Sequence, residues 1–329
     1  MSLKERYAAI LAAWQLGVPD ALVQPASGTI NTIVRATIAG RDYYLRQYRH
    51  PERAPREHAI IAHLHARDFP VVAPLPLPGG ATFLDHDGER YALYPAAPGR
   101  QRAREHLTPS LLAAMGRHLA VLHHALHDLV SGDIPRRIIT GDRDATLAAL
   151  ARLQTMIGQR DGTDPLDQIA VARLAARRAW LETHSPSIAP DPAILAEQAI
   201  HGDYQETNLF FDGGAVCAVI DWDNSYLASR AWEIARVLDY VCEFTPARSR
   251  LFLDGYRSRQ SLSLAELDRA IAAYGSMRAH DLWLYSEYFL RGNERVGRFI
   301  TPGGFVPIAD RWTGLRPHLT DRSGAKLRH

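Results

Sequence analysis

The chain has 329 residues, of which 47% are hydrophobic and 22% charged, and its formal net charge is +2. That is the composition of an ordinary soluble globular protein, long enough for one large domain or for two lobes with cores of their own. The small net charge gives no reason to expect nucleic acid or acidic membranes as partners, and no apolar run reaches the length of a membrane span.

From the amino terminus, Met1-Ser2-Leu3-Lys4-Glu5-Arg6 leads into an amphipathic run containing Trp14, with neither the apolar stretch nor the cleavage site of a signal peptide. A cytoplasmic protein is expected. Residues 24–31 are rich in turn formers, and residues 32–38 are a β-branched run suited to a strand. Gly40-Arg41-Asp42 turns the chain into a second strand over residues 43–48. Pro55 opens a helical run with Ile60, Ile61 and Leu64 at helical spacing. Residues 71–80, with Pro74, Pro76 and Pro78, form a semi-rigid extended connector, and residues 90–94 return to a strand.

From residue 107 onward helices dominate. Residues 107–126 carry a strong apolar stripe and include His118, His123 and His124, with His127 just beyond. His123 and His127 have a spacing that zinc sites use, yet no Glu follows His123 as in metalloproteases, so structural histidines are expected. Residues 143–185 suggest two helices broken at Arg160-Asp161-Gly162. Further on, Trp283, Glu287 and Arg291 fall on one face of a helix expected over residues 279–296. An acid four residues before a base is a stabilising surface pair in its own right. Cys217 and Cys242 are the only cysteines, which points to reduced thiols rather than a disulfide framework.

The most informative segment lies at residues 201–223: His-Gly-Asp-Tyr-Gln-Glu-Thr-Asn, a short hairpin, then Ile-Asp-Trp-Asp. Two apolar strands, residues 209–211 and 215–220, flank the turn Asp212-Gly213-Gly214. Such a hairpin brings Asn208 and Asp221 side by side, where one cation can touch both. Asp203 then stands ready to orient an attacking hydroxyl, the order that phosphoryl transfer from ATP uses in kinases.

These residues resemble the signature of the aminoglycoside phosphotransferase-like kinases, which include choline, homoserine (type II) and fructosamine kinases and a bacterial stress-response protein kinase. The signature is His-Gly-Asp, four residues, Asn, then Ile-Asp-Trp or Ile-Asp-Phe. This chain carries it as His201-Gly202-Asp203, Asn208 and Ile220-Asp221-Trp222. The resemblance covers about residues 24–300 and implies a bilobal protein-kinase-like α+β fold. In it, residues 1–95 form a small antiparallel-sheet lobe that binds the nucleotide, and residues 96–329 form a mainly helical catalytic and substrate-binding lobe.

The resemblance also implies roles for individual residues. Asp203 is the catalytic base, and Asn208 and Asp221 hold magnesium on the phosphates of ATP. The loop containing Gly28 and Asn31 covers those phosphates. The family's phosphate-binding lysine is replaced by Arg46, since lysine occurs only at Lys4 and Lys326. Arginine stays charged and can fork onto two phosphate oxygens. Glu57 matches the family's helix glutamate that pairs with that cation, and backbone groups near Tyr94 and Ala96 are expected to bind adenine. Glu233 matches a carboxylate that anchors the catalytic loop. Asp223 either serves the acceptor or a second metal, or is a solvated turn residue. The segment of Trp283, Glu287 and Arg291 faces the acceptor in the family.

The expected function is ATP- and magnesium-dependent phosphorylation of a hydroxyl on a small metabolite or antibiotic. A serine/threonine protein kinase would share every catalytic residue. A nucleotide-binding regulator without transfer activity is suggested by Arg46 but opposed by the intact Asp203, Asn208 and Asp221.

Overall fold

A computed structural model describes residues 3–24, 31–129, 133–136, 141–184 and 197–320. In chain order the first part forms α1 (Leu3–Leu11), β1 (Ala21–Val23), β2 (Thr32–Ile38), β3 (Arg41–Gln47), α2 (Ala54–His65), β4 (Leu84–His86) and β5 (Glu89–Pro95). The helices α3 (Pro109–Leu126), α4 (Arg143–Gly158) and α5 (Pro165–His184) follow. Then come β6 (Gln198–Ile200), β7 (Leu209–Asp212), β8 (Ala215–Val219) and β9 (Tyr226–Ala228). The chain continues through α6 (Arg230–Tyr240), α7 (Pro246–Arg257), α8 (Leu264–His280), the single turn α9 (Trp283–Tyr285) and α10 (Ile308–Leu315).

By packing, the chain divides into two compact units. The first comprises Met1–Arg136, Glu197–Glu233 and Ala247–Ser261; the second comprises Arg137–Ala196, Ile234–Pro246 and Leu262–His329. The lobe boundary expected near residue 95 lies inside the first unit.

In the first unit, five antiparallel strands run in the order β1-β2-β3-β5-β4. Side chains alternate across a strand, so one sequence serves two faces. Val34, Ala36, Ile38, Leu45, Tyr91 and Leu93 pack with Tyr7, Ile10, Leu11 and Trp14 from the amino-terminal segment. The alternate residues of β3 and β5 include Arg46, opposite Ala92, and Tyr94, opposite Tyr44. Ala92 and Tyr94 pack with Tyr48 and with Ala54 of α2. This second face carries the polar machinery. Elsewhere in the unit, α3 and α7 cross where a Cβ on Gly116 would lie 2.0 Å from the Phe252 carbonyl oxygen, so only glycine permits the approach.

The second unit is helical. Leu150, Leu153 and Ile157 of α4 pack with Ala170, Leu174 and Leu181 of α5 and with Ala279, Leu282, Tyr285, Phe289 and Ile300. The single helix expected over residues 279–296 is not continuous. α8 stops at His280, Asp281 takes an extended conformation, and its side chain accepts the Trp283 N–H at 2.9 Å, starting a new turn. A π-helical turn, Ser286–Leu290, comes next. The carboxylate of Asp281 competes with the helical hydrogen bonds, which helical periodicity alone does not register. Among the described residues, no helix is long and apolar enough to cross a membrane. Both cysteines are free thiols; Cys242 is buried, while Cys217 is only partly so.

Candidate active site

The hairpin β7–β8 pairs Leu209 with Val219 and Asp212 with Ala215. One step beyond the ladder, the Ile220 N–H donates to the Asn208 carbonyl at 3.0 Å, which sets Asn208 and Asp221 at the same open end. Asp221 itself has φ 68° and ψ 62°, a left-handed conformation that costs a non-glycine residue on the order of 1 kcal/mol and turns the chain out of the strand. Trp222 behind it is buried, its ring centroid 4.5 Å from that of His201.

His201 locks the two halves of the signature together. Its Nδ1 accepts the Asp203 N–H at 3.1 Å, so the proton sits on Nε2, which donates to the Ile220 carbonyl at 3.0 Å. Glu233, fully buried in the first turn of α6, accepts the Gly202 N–H at 2.6 Å and the His201 N–H at 3.2 Å. His123 Nε2 also reaches Glu233, at 2.9 Å, while His123 Nδ1 lies 2.9 Å from the Tyr256 hydroxyl. His123 is thus fully engaged within the protein. Burial works against the Glu233 carboxylate, but the hydrogen bonds from His123 and Gly202 hold it below the usual glutamate range. Gly202 has φ +80°, and a Cβ there would lie 2.3 Å from the Asn224 carbonyl oxygen.

Asp203 is only partly buried. Its Oδ2 accepts Asn208 Nδ2 at 2.9 Å and Gln205 Nε2 at 3.1 Å, and Asn208 Nδ2 also donates to the Asp203 carbonyl at 2.9 Å. The amide of Asn208 is therefore oriented with its nitrogen toward Asp203, which turns its oxygen the other way.

On the sheet, Arg46 is buried and donates from Nη1 to Glu57 at 2.9 Å. Its Nη2 bridges Asp221 Oδ1 at 3.0 Å and Asp223 Oδ2 at 2.9 Å, and its guanidinium carbon lies 4.8 Å from the Tyr48 ring centroid. Arg46 Nε and Glu57 Oε2 are buried without a hydrogen-bond partner among the described residues. Burial, opposed by Arg46 and reinforced by Asp223 and Asp221, raises the Glu57 carboxyl to about 7. Burial likewise lifts Asp221 above the ordinary range; Arg46 counters it, and Asp223 and Asp203 add to it. Beneath this cluster His58 meets the hydroxyls of Tyr48 and Tyr94, both at 3.1 Å. Burial, with smaller contributions from Arg46 and Arg90, lowers His58 to about 4.

Asp223 is not the solvated turn residue that the sequence allowed. It is buried and tied to Arg46, and its Oδ2 also accepts Asn31 Nδ2 at 3.1 Å. Asn31 Oδ1 in turn accepts the Arg49 N–H at 3.1 Å, so the side chain of Asn31 is occupied in joining the end of its loop to Asp223. Gly28 lies outside the described residues. At Ala96, near which adenine contacts are expected, the N–H is already spent on the Asp42 carbonyl at 3.2 Å. The register pairs Tyr94 with Tyr44, and the alternation of an antiparallel ladder directs the next carbonyl, that of Pro95, away from β3. The Tyr94 side chain points inward to the Tyr48 hydroxyl, at 2.9 Å.

In the second unit, Glu287 is buried, pairs with Arg291 through Oε1 and accepts Asn293 Nδ2 at 3.1 Å through Oε2. Trp283 is 47% exposed. Sequence reasoning passed over Gln205 and Arg56, whose Nη2 donates to the Asp223 carbonyl at 2.9 Å. The signal for Gln205 was its place between Asp203 and Asn208; nothing local marked Arg56.

Residues 21–278 match the family model described as the phosphotransferase enzyme family. A homoserine kinase of Rhodopseudomonas palustris (strain BisB18) is 27% identical over 215 residues, which are 64% of this chain and 60% of that protein. The chain thus spans less than two thirds of that relative's length. Among solved structures, a spectinomycin phosphotransferase in complex with ADP and spectinomycin aligns with a TM-score of 0.67 at 14% identity, over 96% of this chain and 98% of the other. An amicoumacin kinase in complex with AMP-PNP and Ca2+ aligns with a TM-score of 0.57 at 16% identity, over 93% and 95% of the two chains. These likenesses establish the protein-kinase-like α+β fold. The match over residues 21–278 makes the membership plain: the chain belongs to the phosphotransferase enzyme family, the aminoglycoside phosphotransferase-like kinases.

Proposed function

We propose that this protein transfers the γ-phosphoryl group of ATP, with magnesium, to a hydroxyl of a small metabolite or antibiotic. The observation that carries the reading is the convergence of Asp203, Asn208 and Asp221 through one hairpin and one histidine. Asp203 orients the acceptor hydroxyl and takes its proton as the new oxygen–phosphorus bond forms and the bond to the leaving diphosphate breaks.

The donor set fits magnesium, a hard cation that prefers a few protein oxygens and leaves the rest of its shell to phosphate and water. Asn208 and Asp221 supply oxygens of that kind. Electrostatics favour a cation as well, since three carboxylates, those of Glu57, Asp221 and Asp223, gather on the single guanidinium of Arg46. Bound there with the phosphates, magnesium would neutralise the charge that builds on them. Arg46 has a buried Nε–H without a partner among the described residues, a donor suited to a phosphate oxygen, and Glu57 sets the plane of its guanidinium.

In this reading residues 1–95 serve the nucleotide, Gly28 and Asn31 its phosphates and the Pro95 carbonyl its adenine. Asn31 and Asp223 hold the cluster in shape. Trp283, Glu287 and Arg291 are proposed to serve the acceptor, the neutral Glu287–Arg291 pair suiting a polar, uncharged group more than an ion. A reaction that consumes ATP suits the cytoplasm.

The test is a screen of ATP consumption against hydroxyl-bearing metabolites and antibiotics, with peptide substrates alongside. Turnover that depends on a small acceptor supports the reading; turnover confined to peptides assigns a protein kinase. Tight Mg-nucleotide binding without any transfer would leave a regulator.

A further inference from the structure

The side chains of Gln205 and Asn208 meet on one oxygen of Asp203, and the backbone explains why. Gln205 is extended (φ −147°, ψ 167°) and caps the 3-10 turn Glu206–Asn208, its carbonyl accepting the Asn208 N–H at 3.0 Å. A 3-10 turn has three residues, so side chains at positions i and i+3 eclipse one another. Gln205 and Asn208 hold those positions, and both can reach back to Asp203. The two amides donate to Oδ2 at 3.1 and 2.9 Å. A carboxylate oxygen offers two in-plane lone pairs, and two donors fill them.

Resting on the phosphotransfer reading above, we infer that Gln205 is a positioning residue that works with Asn208 to clamp Asp203 by its Oδ2 and so aims the carboxylate at the acceptor hydroxyl. Asn208 divides its amide: the nitrogen is committed to Asp203, and the oxygen would hold the cation. Gln205 has no such second duty, so its removal isolates the clamp. Loss of the Gln205 donor weakens the hold on Oδ2, and a base less firmly oriented about its Cβ–Cγ bond is misaligned for more of its encounters with the hydroxyl.

The test uses the full chain with Mg-ATP, reading phosphate release with water as acceptor, and Mg-AMP-PNP affinity by calorimetry. Gln205→Leu removes the donor and is expected to lower turnover about 10- to 100-fold, the usual effect of losing a hydrogen bond to a charged group. Affinity for Mg-AMP-PNP and the KM for ATP should stay within about twofold. Gln205→His restores an N–H donor and should recover most of the loss, whereas Gln205→Glu, which sets a second carboxylate against Asp203, should not. A further readout needs no turnover: the side-chain amide resonances of Gln205 should shift on Asp203→Ala.

Turnover of Gln205→Leu equal to wild type, an equal fall in turnover and affinity, no rescue by Gln205→His, or unmoved amide resonances would each overturn the clamp. Wild-type protein that binds Mg-AMP-PNP but releases no phosphate under any condition would overturn the phosphotransfer reading along with it. Normal wild-type turnover that ignores Gln205 overturns the clamp alone.

Discussion

Replacing Arg46 by alanine should do damage far larger than the loss of one side chain, because three carboxylates depend on it. Nη1 serves Glu57, whose side chain is 1% exposed, and Nη2 serves Asp223, at 5%, and Asp221. At about 4 Å between charge centres and an effective dielectric near 20, one such pair attracts by about 4 kcal/mol before desolvation is counted. Breaking a buried pair by deleting one partner typically costs about 3–5 kcal/mol, and Arg46→Ala should fall in that range in urea unfolding at pH 8. Glu57→Gln keeps the shape and removes only one of the three contacts, so it should cost less. The double variant should be less unstable than the sum of the singles by about 2–3 kcal/mol, because both singles break the same contact. It should still be worse than Glu57→Gln alone, since Asp221 and Asp223 remain without their cation. Arg46→Lys, a compact ammonium on a flexible stem, should retain part of the stability and raise the KM for ATP. Singles that add to within about 0.5 kcal/mol, or an Arg46→Ala variant as stable as wild type, would refute the cluster as one energetic unit.

Asp203→Asn preserves the shape but cannot take a proton, so turnover should fall about 10²–10⁴-fold while Mg-AMP-PNP affinity is retained; a variant that loses affinity and keeps turnover would remove Asp203 from the chemistry. Asp221→Ala should abolish both transfer and the magnesium dependence of nucleotide binding, measured by calorimetry with and without EDTA, and unchanged titrations would exclude it as a ligand. His58 gives a pH prediction with a definite sign. Its pKa is lowered from 6.5 to about 4 in the folded protein, so the unfolded chain binds the extra proton between those values. Stability is therefore fully present above about pH 6.5 and is lost as pH falls toward 4, this group contributing about 3 kcal/mol across the interval. Denaturation of wild type and His58→Gln at pH 7 and pH 4 should differ by that margin, and parallel losses would refute the assignment.

The segment around Asp203, Asn208 and Asp221 was legible in the sequence because its geometry is local. The Asp212-Gly213-Gly214 turn between two apolar strands brings Asn208 and Asp221 to the same end, and an irregularity between Phe210 and Phe211, which the sequence did not announce, shifts the register there by one residue. Of the first sheet, β2 was legible as a β-branched run, and β3 and β5 as short runs bounded by turn residues, whereas the three-residue strands β1 and β4 were not. Arg46 and Glu57 could be singled out only by resemblance, and no local pattern says that Arg46 reaches Asp223, 177 residues away. Tertiary packing alone decided that Asp223 is buried rather than solvated, that the Ala96 N–H is spent inside the sheet, and that the chain breaks at Asp281. In a ladder, one residue of register decides whether a backbone group faces a neighbouring strand or is free, and that offset is below the resolution of a hydrophobic pattern. Which oxygen of Asp203 the amides of Gln205 and Asn208 hold is finer still. The sequence supplies the donors and the acceptor, and the 3-10 turn brings them together.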